Sequence, residues 1–171
     1  MRQLFFFISL LFFTSSCISQ TYISLAPSLT NTAGTIPGKS NVAIEVGRQW
    51  DVFSLGLDVG KTSMGKMPRD TTAYVELRPN LNVFQQGKFT NTFTAGIGYI
   101  FNAQQSLMTE LTSGIEYAYN DKLHINIFFG QYYYSGKYDA SNVTFFGISG
   151  MWYFKATKTG SLIKNPKADA P

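Results

Sequence analysis

From Ile23 to Phe154 the chain repeats one pattern, in which short runs of alternating apolar and polar residues are separated by turn-forming residues. Period-two alternation belongs to a strand whose two faces meet different surroundings. Eight such runs are legible, and their connections alternate between long and short. Strands joined in this up-and-down manner remove their free edges by closing into a barrel.

The individual runs carry the pattern. In the second, Val42, Ile44 and Val46 oppose Ala43, Glu45, Gly47 and Gln49. The third sets Phe53, Leu55, Leu57 and Val59 against Ser54, Gly56, Asp58 and Gly60. In the fourth, Ala73, Val75, Leu77, Leu81 and Val83 oppose Tyr74, Glu76, Arg78, Asn80 and Asn82. The fifth opposes Phe93, Ala95, Ile97 and Tyr99 to Thr92, Thr94, Gly96 and Gly98, and the sixth opposes Leu111 and Ile115 to Glu110, Thr112, Gly114 and Glu116. The seventh is looser, with Phe128 and Tyr132 on the same side as His124, Asn126 and Gly130. The eighth pairs Phe146, Ile148, Trp152 and Phe154 against Gly147, Ser149 and Met151. The first, around Tyr22 to Ala26, is the weakest. Pro79 cannot donate to a ladder, so a bulge or distortion is expected there.

Two barrels fit this alternation. A soluble one turns its apolar face inward around a ligand; a membrane one turns it outward to lipid. Here the polar face carries Gly47, Gly56, Gly60, Gly96, Gly98, Gly114, Gly130 and Gly147 beside acids and one arginine. Small residues suit the crowded inside of a narrow barrel, and bulky Phe, Leu, Ile and Tyr suit lipid. Aromatics such as Trp50, Trp152 and Phe154 fall near strand ends, where interfacial girdles lie. The expected fold is therefore all-β, an eight-stranded antiparallel up-and-down transmembrane β-barrel, with a secreted soluble ligand-binding barrel as the alternative.

Export is written at the N-terminus. Met1-Arg2-Gln3 is a basic start, Leu4 to Phe13 is apolar, and Thr14 to Gln20 supplies small residues for cleavage. The expected division is a signal peptide over 1–19, a barrel domain over 20–154 and a flexible periplasmic tail over 155–171. No other run approaches the roughly 18 apolar residues of a spanning helix. Cys17 is the single cysteine, so no disulfide is expected. It departs with the signal, or is acylated as the first residue of a lipoprotein; the aliphatic residue usual three positions upstream is missing. Charged residues are only 14% of the 171, and the net charge of +4 is not interleaved with aromatics as a nucleic-acid groove requires.

Short turns fall near Gln49-Trp50-Asp51, Gln85-Gln86-Gly87 and Asn120-Asp121-Lys122. Longer loops run through Asn31 to Ser40, Lys61 to Thr71, Asn102 to Ser106 and Ser135 to Ser141, each after an odd-numbered strand. Short turns belong in the periplasm and long loops outside, which makes both termini periplasmic.

The chain resembles the small eight-stranded outer-membrane barrels of OmpA/OmpX type, within the outer-membrane β-barrel domain group. The resemblance covers nearly all of the mature chain and rests on pattern. Its most specific element is Met151-Trp152-Tyr153-Phe154, similar to the terminal signal read by the barrel-assembly machinery; the departure is the tail beyond Phe154. The resemblance implies an integral outer-membrane protein in contact with outer-membrane lipids and the assembly machinery. It fixes no activity.

The candidate site is the set of inward charges: Glu45, Asp58, Glu76, Arg78 and Glu116, with Glu110 higher up. Arg78 can form bidentate pairs with carboxylates, and such a network would plug the lumen. The alternative is a cation path lined by acids. One arginine cannot neutralise five acids, and unpaired buried carboxylates are costly, so water or protons must enter. His124, the only histidine, follows a short turn with no nearby serine in sequence; an interior polar role is favoured over lipid-modifying catalysis. No metal site and no cofactor are expected. Tyr132-Tyr133-Tyr134, rising towards Lys137 and Tyr138, reads as an upper girdle or a grip for an extracellular partner. The expected protein is a non-enzymatic, monomeric outer-membrane barrel. Its rivals are an outer-membrane lipid-modifying enzyme and the soluble ligand-binding barrel.

Overall fold

The computed structural model describes residues 19–32, 39–63, 71–101, 106–135, 142–155 and 160–164. The expected signal segment before Ser19, the central parts of the four long loops, Lys137 and Tyr138 lie outside the described residues, as do Lys158 and Lys167 of the tail.

Eight strands run in sequence: β1 (Ser19–Thr32), β2 (Lys39–Trp50), β3 (Phe53–Ser63), β4 (Thr71–Gln86), β5 (Phe89–Ile100), β6 (Ser106–Ala118), β7 (Leu123–Ser135) and β8 (Asn142–Tyr153). Each pairs antiparallel with its neighbours in sequence, and β1 pairs with β8, so the sheet closes. A two-residue β9 (Ile163–Lys164) joins the turn end of β4 in parallel. β1 is longer than its sequence pattern suggests, and its first residue, Ser19, pairs with Trp50, at the expected signal boundary.

Turn chemistry fixes the register. Trp50 pairs with Phe53 and Gln86 with Phe89, leaving two-residue loops whose first residues, Asp51 and Gly87, have φ of 49° and 58°. Positive φ at that position turns a hairpin without splaying its strands. In the third turn the Asn120 side-chain oxygen accepts from the backbone N–H of Lys122 and Leu123 at 2.9 and 2.8 Å, an Asx arrangement.

At Pro79 the expected bulge or distortion takes the second form, an interrupted ladder without a bulge. The β3–β4 ladder runs unbroken through Leu55–Pro79, while on the β5 side pairing skips Arg78 and Pro79 without changing register. Proline lacks only one donor, so it interrupts one ladder and leaves the other intact. The bulge sits further along, between Asn82 and Phe84. Pro27 does the same to β1: the ladder to β8 skips Ala26 and Pro27, and the ladder to β2 does not.

Both faces follow the alternation. Ile23, Val46, Leu57, Ile97, Ile115, Ile127 and Ile148 are exposed on the outside, and aromatic pairs rim this belt at its two ends. At the turn end Trp50 stacks on Phe53 at 6.0 Å and Phe89 meets Tyr117 at 5.0 Å; at the loop end Tyr99 meets Phe101 at 5.4 Å. Nothing but lipid or another protein stabilises so continuous an apolar exterior.

The interior is not uniformly polar. Towards the loop end it is filled by Ala26, Tyr74, Ile100, Met108, Val143 and Phe145, among others, with Tyr132 stacked on Phe145 at 4.1 Å. The three consecutive tyrosines therefore divide. Tyr132 and Tyr134 are buried in the lumen and only Tyr133 faces out, which corrects the reading of the run as an exposed girdle or grip. The strand runs to Ser135, where the sequence places the start of the loop, and alternation along it sends the three rings to different faces.

Candidate functional site: the charged centre of the barrel

The acids meet because the register puts them side by side. Glu45 on β2 lies opposite Asp58 on β3, and Asp58 lies opposite Glu76 on β4. Like charges directly opposed across strands repel. Two residues along β4, Arg78 points into the same lumen and forks between Glu45 and Glu110. Its Nη1 donates to Glu45 Oε2 at 2.6 Å and its Nη2 to Glu110 Oε1 at 2.7 Å. A planar guanidinium with several fixed donors suits this bridge better than a lysine would.

Hydroxyl groups supply further donors. Tyr74 donates to Asp58 Oδ2 at 2.8 Å, Thr112 to Glu110 Oε1 at 2.5 Å, and Tyr22 to Glu45 Oε1. Glu76 is 1% exposed, and neither of its carboxylate oxygens has a hydrogen-bond donor among the described residues. Room for these side chains comes from a missing one. A Cβ placed on Gly56 would stand 2.0 Å from Glu45 Oε1, so glycine there lets the carboxylate lie flat across β3.

Of the five charges singled out from sequence, Glu45 and Arg78 pair directly, and Asp58 and Glu76 lie beside them in the ladder. Glu116 does not join. It lies nearer the turn end and contacts His124 Nδ1 at 2.6 Å. Glu110, placed apart in the sequence reading, is a direct partner of Arg78. Counting levels along each strand misses the stagger between strands, and stagger decides which levels meet.

His124 is 2% exposed, faces the lumen and tilts against the ring of Tyr153 at 4.7 Å. Its Nδ1 is occupied by Glu116, an arrangement that fixes an imidazole in place. Between this pair and Arg78 lies a cavity of about 40 Å³, lined by Tyr22, Ser54, Arg78, Glu116, Asn126 and Ser149 among others. That is space for roughly three waters, at about 10–15 Å³ each. Among the described residues no group of acids, histidines or cysteines is arranged to hold a metal ion.

The aromatic residues singled out at the turn end face outward. Trp152 and Phe154 are exposed, and Trp50 is half-buried beneath the Arg48 guanidinium, 5.8 Å from its ring centre. Phe154 continues the ladder by donating its backbone N–H to Thr21 O at 3.1 Å.

No family model and no curated protein matches the chain. Solved structures do match it in fold. Neisserial surface protein A superposes with a TM-score of 0.60 at 9% identity, over 80% of this chain and 97% of that one. The N-terminal β-barrel domain of Pseudomonas aeruginosa OprF gives 0.55 at 12% identity, over 78% and 99%. A de novo designed transmembrane β-barrel gives 0.52 at 11% identity, over 78% and 94%. The chain thus has the closed eight-stranded antiparallel fold of the small outer-membrane barrels.

Proposed function

We propose that this chain is a non-enzymatic, monomeric integral protein of the bacterial outer membrane, with both termini periplasmic and its long loops outside. Its barrel is a scaffold whose interior is closed by the Arg78 network below the aromatic packing, and its loops meet an extracellular partner. The observation that carries the reading is the pairing of two opposite faces on the same strands. Leu57 and Ile97 are about half exposed on the outside, while Asp58 and Glu76 beside them in sequence or register are almost fully enclosed. An aqueous solvent outside would favour the reverse assignment.

The likeness to outer-membrane barrels of the same strand number supports the location. The enclosure of His124 by Glu116 and Tyr153 supports a structural part for that histidine. The test is fractionation of cells producing the protein, followed by labelling of single cysteines with a membrane-impermeant reagent. Recovery in the outer membrane, with Lys66→Cys labelled in intact cells and Lys122→Cys labelled only after lysis, is expected. Recovery in the soluble fraction, or the opposite labelling pattern, would overturn location or orientation respectively.

A further inference from the structure

The β2–β3 hairpin stops short of the turn end of β4. Phe53, the first residue of β3, pairs with Leu81, but β4 runs on to Gln86. Beyond Leu81 only the Asn82 N–H still meets that hairpin, donating to Val52 O at 2.8 Å, so the stretch from Val83 to Gln86 has β5 on one side and no β3 on the other. An unpaired stretch of strand offers its N–H and C=O groups to any passing chain.

Here the chain's own C-terminal segment takes that place, although its sequence reads as a free tail. Ile163 and Lys164 pair in parallel with Phe84 and Gln85, and the Leu162 N–H donates to Asn82 O at 2.9 Å. The Asn82 side chain points into the lumen, is 1% exposed, and donates from Nδ2 to Gly160 O at 3.0 Å. That bond holds Gly160 within the rim. Gly160 presses on Asp51 so closely that a Cβ would stand 1.7 Å from Oδ1, and Ser161 beside it is buried, its hydroxyl donating to Ile163 O at 2.9 Å. Gly160 and Ser161 thus sit inside the turn-side rim, between the lumen-facing Asn82 side chain and Asp51 of the β2–β3 turn.

We propose that residues 160–164 are a strap that shuts the turn-side mouth, caps the overhanging edge of β4 and keeps solutes out of the polar cavity between Arg78 and Tyr153. The loop-side entrance is filled by Tyr74, Tyr132 and Phe145, so the strapped mouth is the shorter way in. The strap is held by a few backbone bonds and one asparagine, whereas each barrel strand is held by two antiparallel ladders. It opens while the barrel stays closed.

The test uses the full chain folded in detergent, in a Cys17→Ser background, with Ser54→Cys as a reporter in the cavity. Ser54 lines that cavity and is 2% exposed. Labelling by a charged, water-soluble thiol reagent is expected to be slow. Gly160→Val, which drives the strap off Asp51, should accelerate it by about tenfold, as local opening of a weakly held segment does. Locking the strap with a Phe84→Cys/Ile163→Cys disulfide should slow labelling below the native rate, and reduction should restore it. Equal rates in the native and Gly160→Val proteins, or failure of the two cysteines to join in the folded barrel, would overturn the proposal. If Gly160→Val does not fold, the oxidised and reduced forms of the disulfide variant make the same comparison.

Discussion

Arg78 Nη1 on β4 lies 2.6 Å from Glu45 Oε2 on β2, with the whole of β3 between them. The same guanidinium reaches the other way past β5 to Glu110 on β6 at 2.7 Å. One side chain thus ties three strands that share no ladder with one another. Backbone pairing holds each strand to its neighbours only, so this contact acts across the lumen where the ladders cannot.

Removing that cation should leave several acids enclosed without a counter-charge. Arg78→Ala is expected to lower barrel stability by about 3–5 kcal/mol, the usual cost of breaking a buried ion pair from one side. Arg78→Lys should recover only part of the loss, because an ammonium reaches two carboxylates less well than a fork does. Denaturant unfolding in a fixed bilayer or detergent measures both. A loss under about 1 kcal/mol for Arg78→Ala would mean that solvent already screens the acids.

Glycines on the two faces should respond unequally to the same change. A Cβ on Gly98, which faces the lumen opposite Glu76, would stand 2.6 Å from the Val75 carbonyl oxygen and 2.9 Å from Glu76 Cβ. Backbone cannot yield as a side-chain tip can, so Gly98→Ala should cost about 1–3 kcal/mol. Gly150, exposed on the outside of β8, has nothing within 4 Å of that position. Gly150→Ala should change stability by no more than about 0.5 kcal/mol. Equal effects of the two substitutions in parallel unfolding curves would contradict this packing.

Much of the fold was legible because a barrel strand has only two faces. Leu57 and Asp58 fall on opposite sides in both pattern and structure, and the turns at Asp51, Gly87 and Asn120 lie where turn residues cluster. What pattern could not supply is the stagger that brings Glu110 to Arg78 and leaves Glu116 to His124. Nor does alternation show where a lumen changes from polar to aromatic, although Phe128 and Tyr132 on the polar side of β7 were a sign of it. Residues 160–164 carry no such signal. Their docking depends on an overhang of β4 that exists only once the register of β3 is known.

The outward belt predicts sensitivity to charge at mid-height. Leu57 pairs with Val46 and Leu77 on the exposed face, away from both aromatic rims. Leu57→Arg should reduce folding yield in lipid vesicles, at a cost of about 2–4 kcal/mol near the bilayer midplane. Leu57→Phe keeps the face apolar and should fold nearly as well as the native chain. Comparable yields of the arginine and phenylalanine variants would place Leu57 away from lipid.

Conduction tests the interior. An eight-stranded barrel is just wide enough for its own side chains to fill. Here Arg78 spans the centre, aromatic rings occupy the loop end, and the cavity between Arg78 and Tyr153 is only about 40 Å³. Planar-bilayer recordings of the native protein should therefore show no steady conductance. The acids exceed the cations at this level, so any current that did pass would favour cations. Arg78→Ala would widen the constriction while the loop-end packing remains, and it should conduct little more. Adding Tyr132→Ala and Phe145→Ala should open a cation-selective path if the barrel survives the loss of its aromatic filling. Steady conductance by the unmodified protein would mean that Arg78 and the rings above it move aside together, and that the lumen is a channel rather than a packed scaffold.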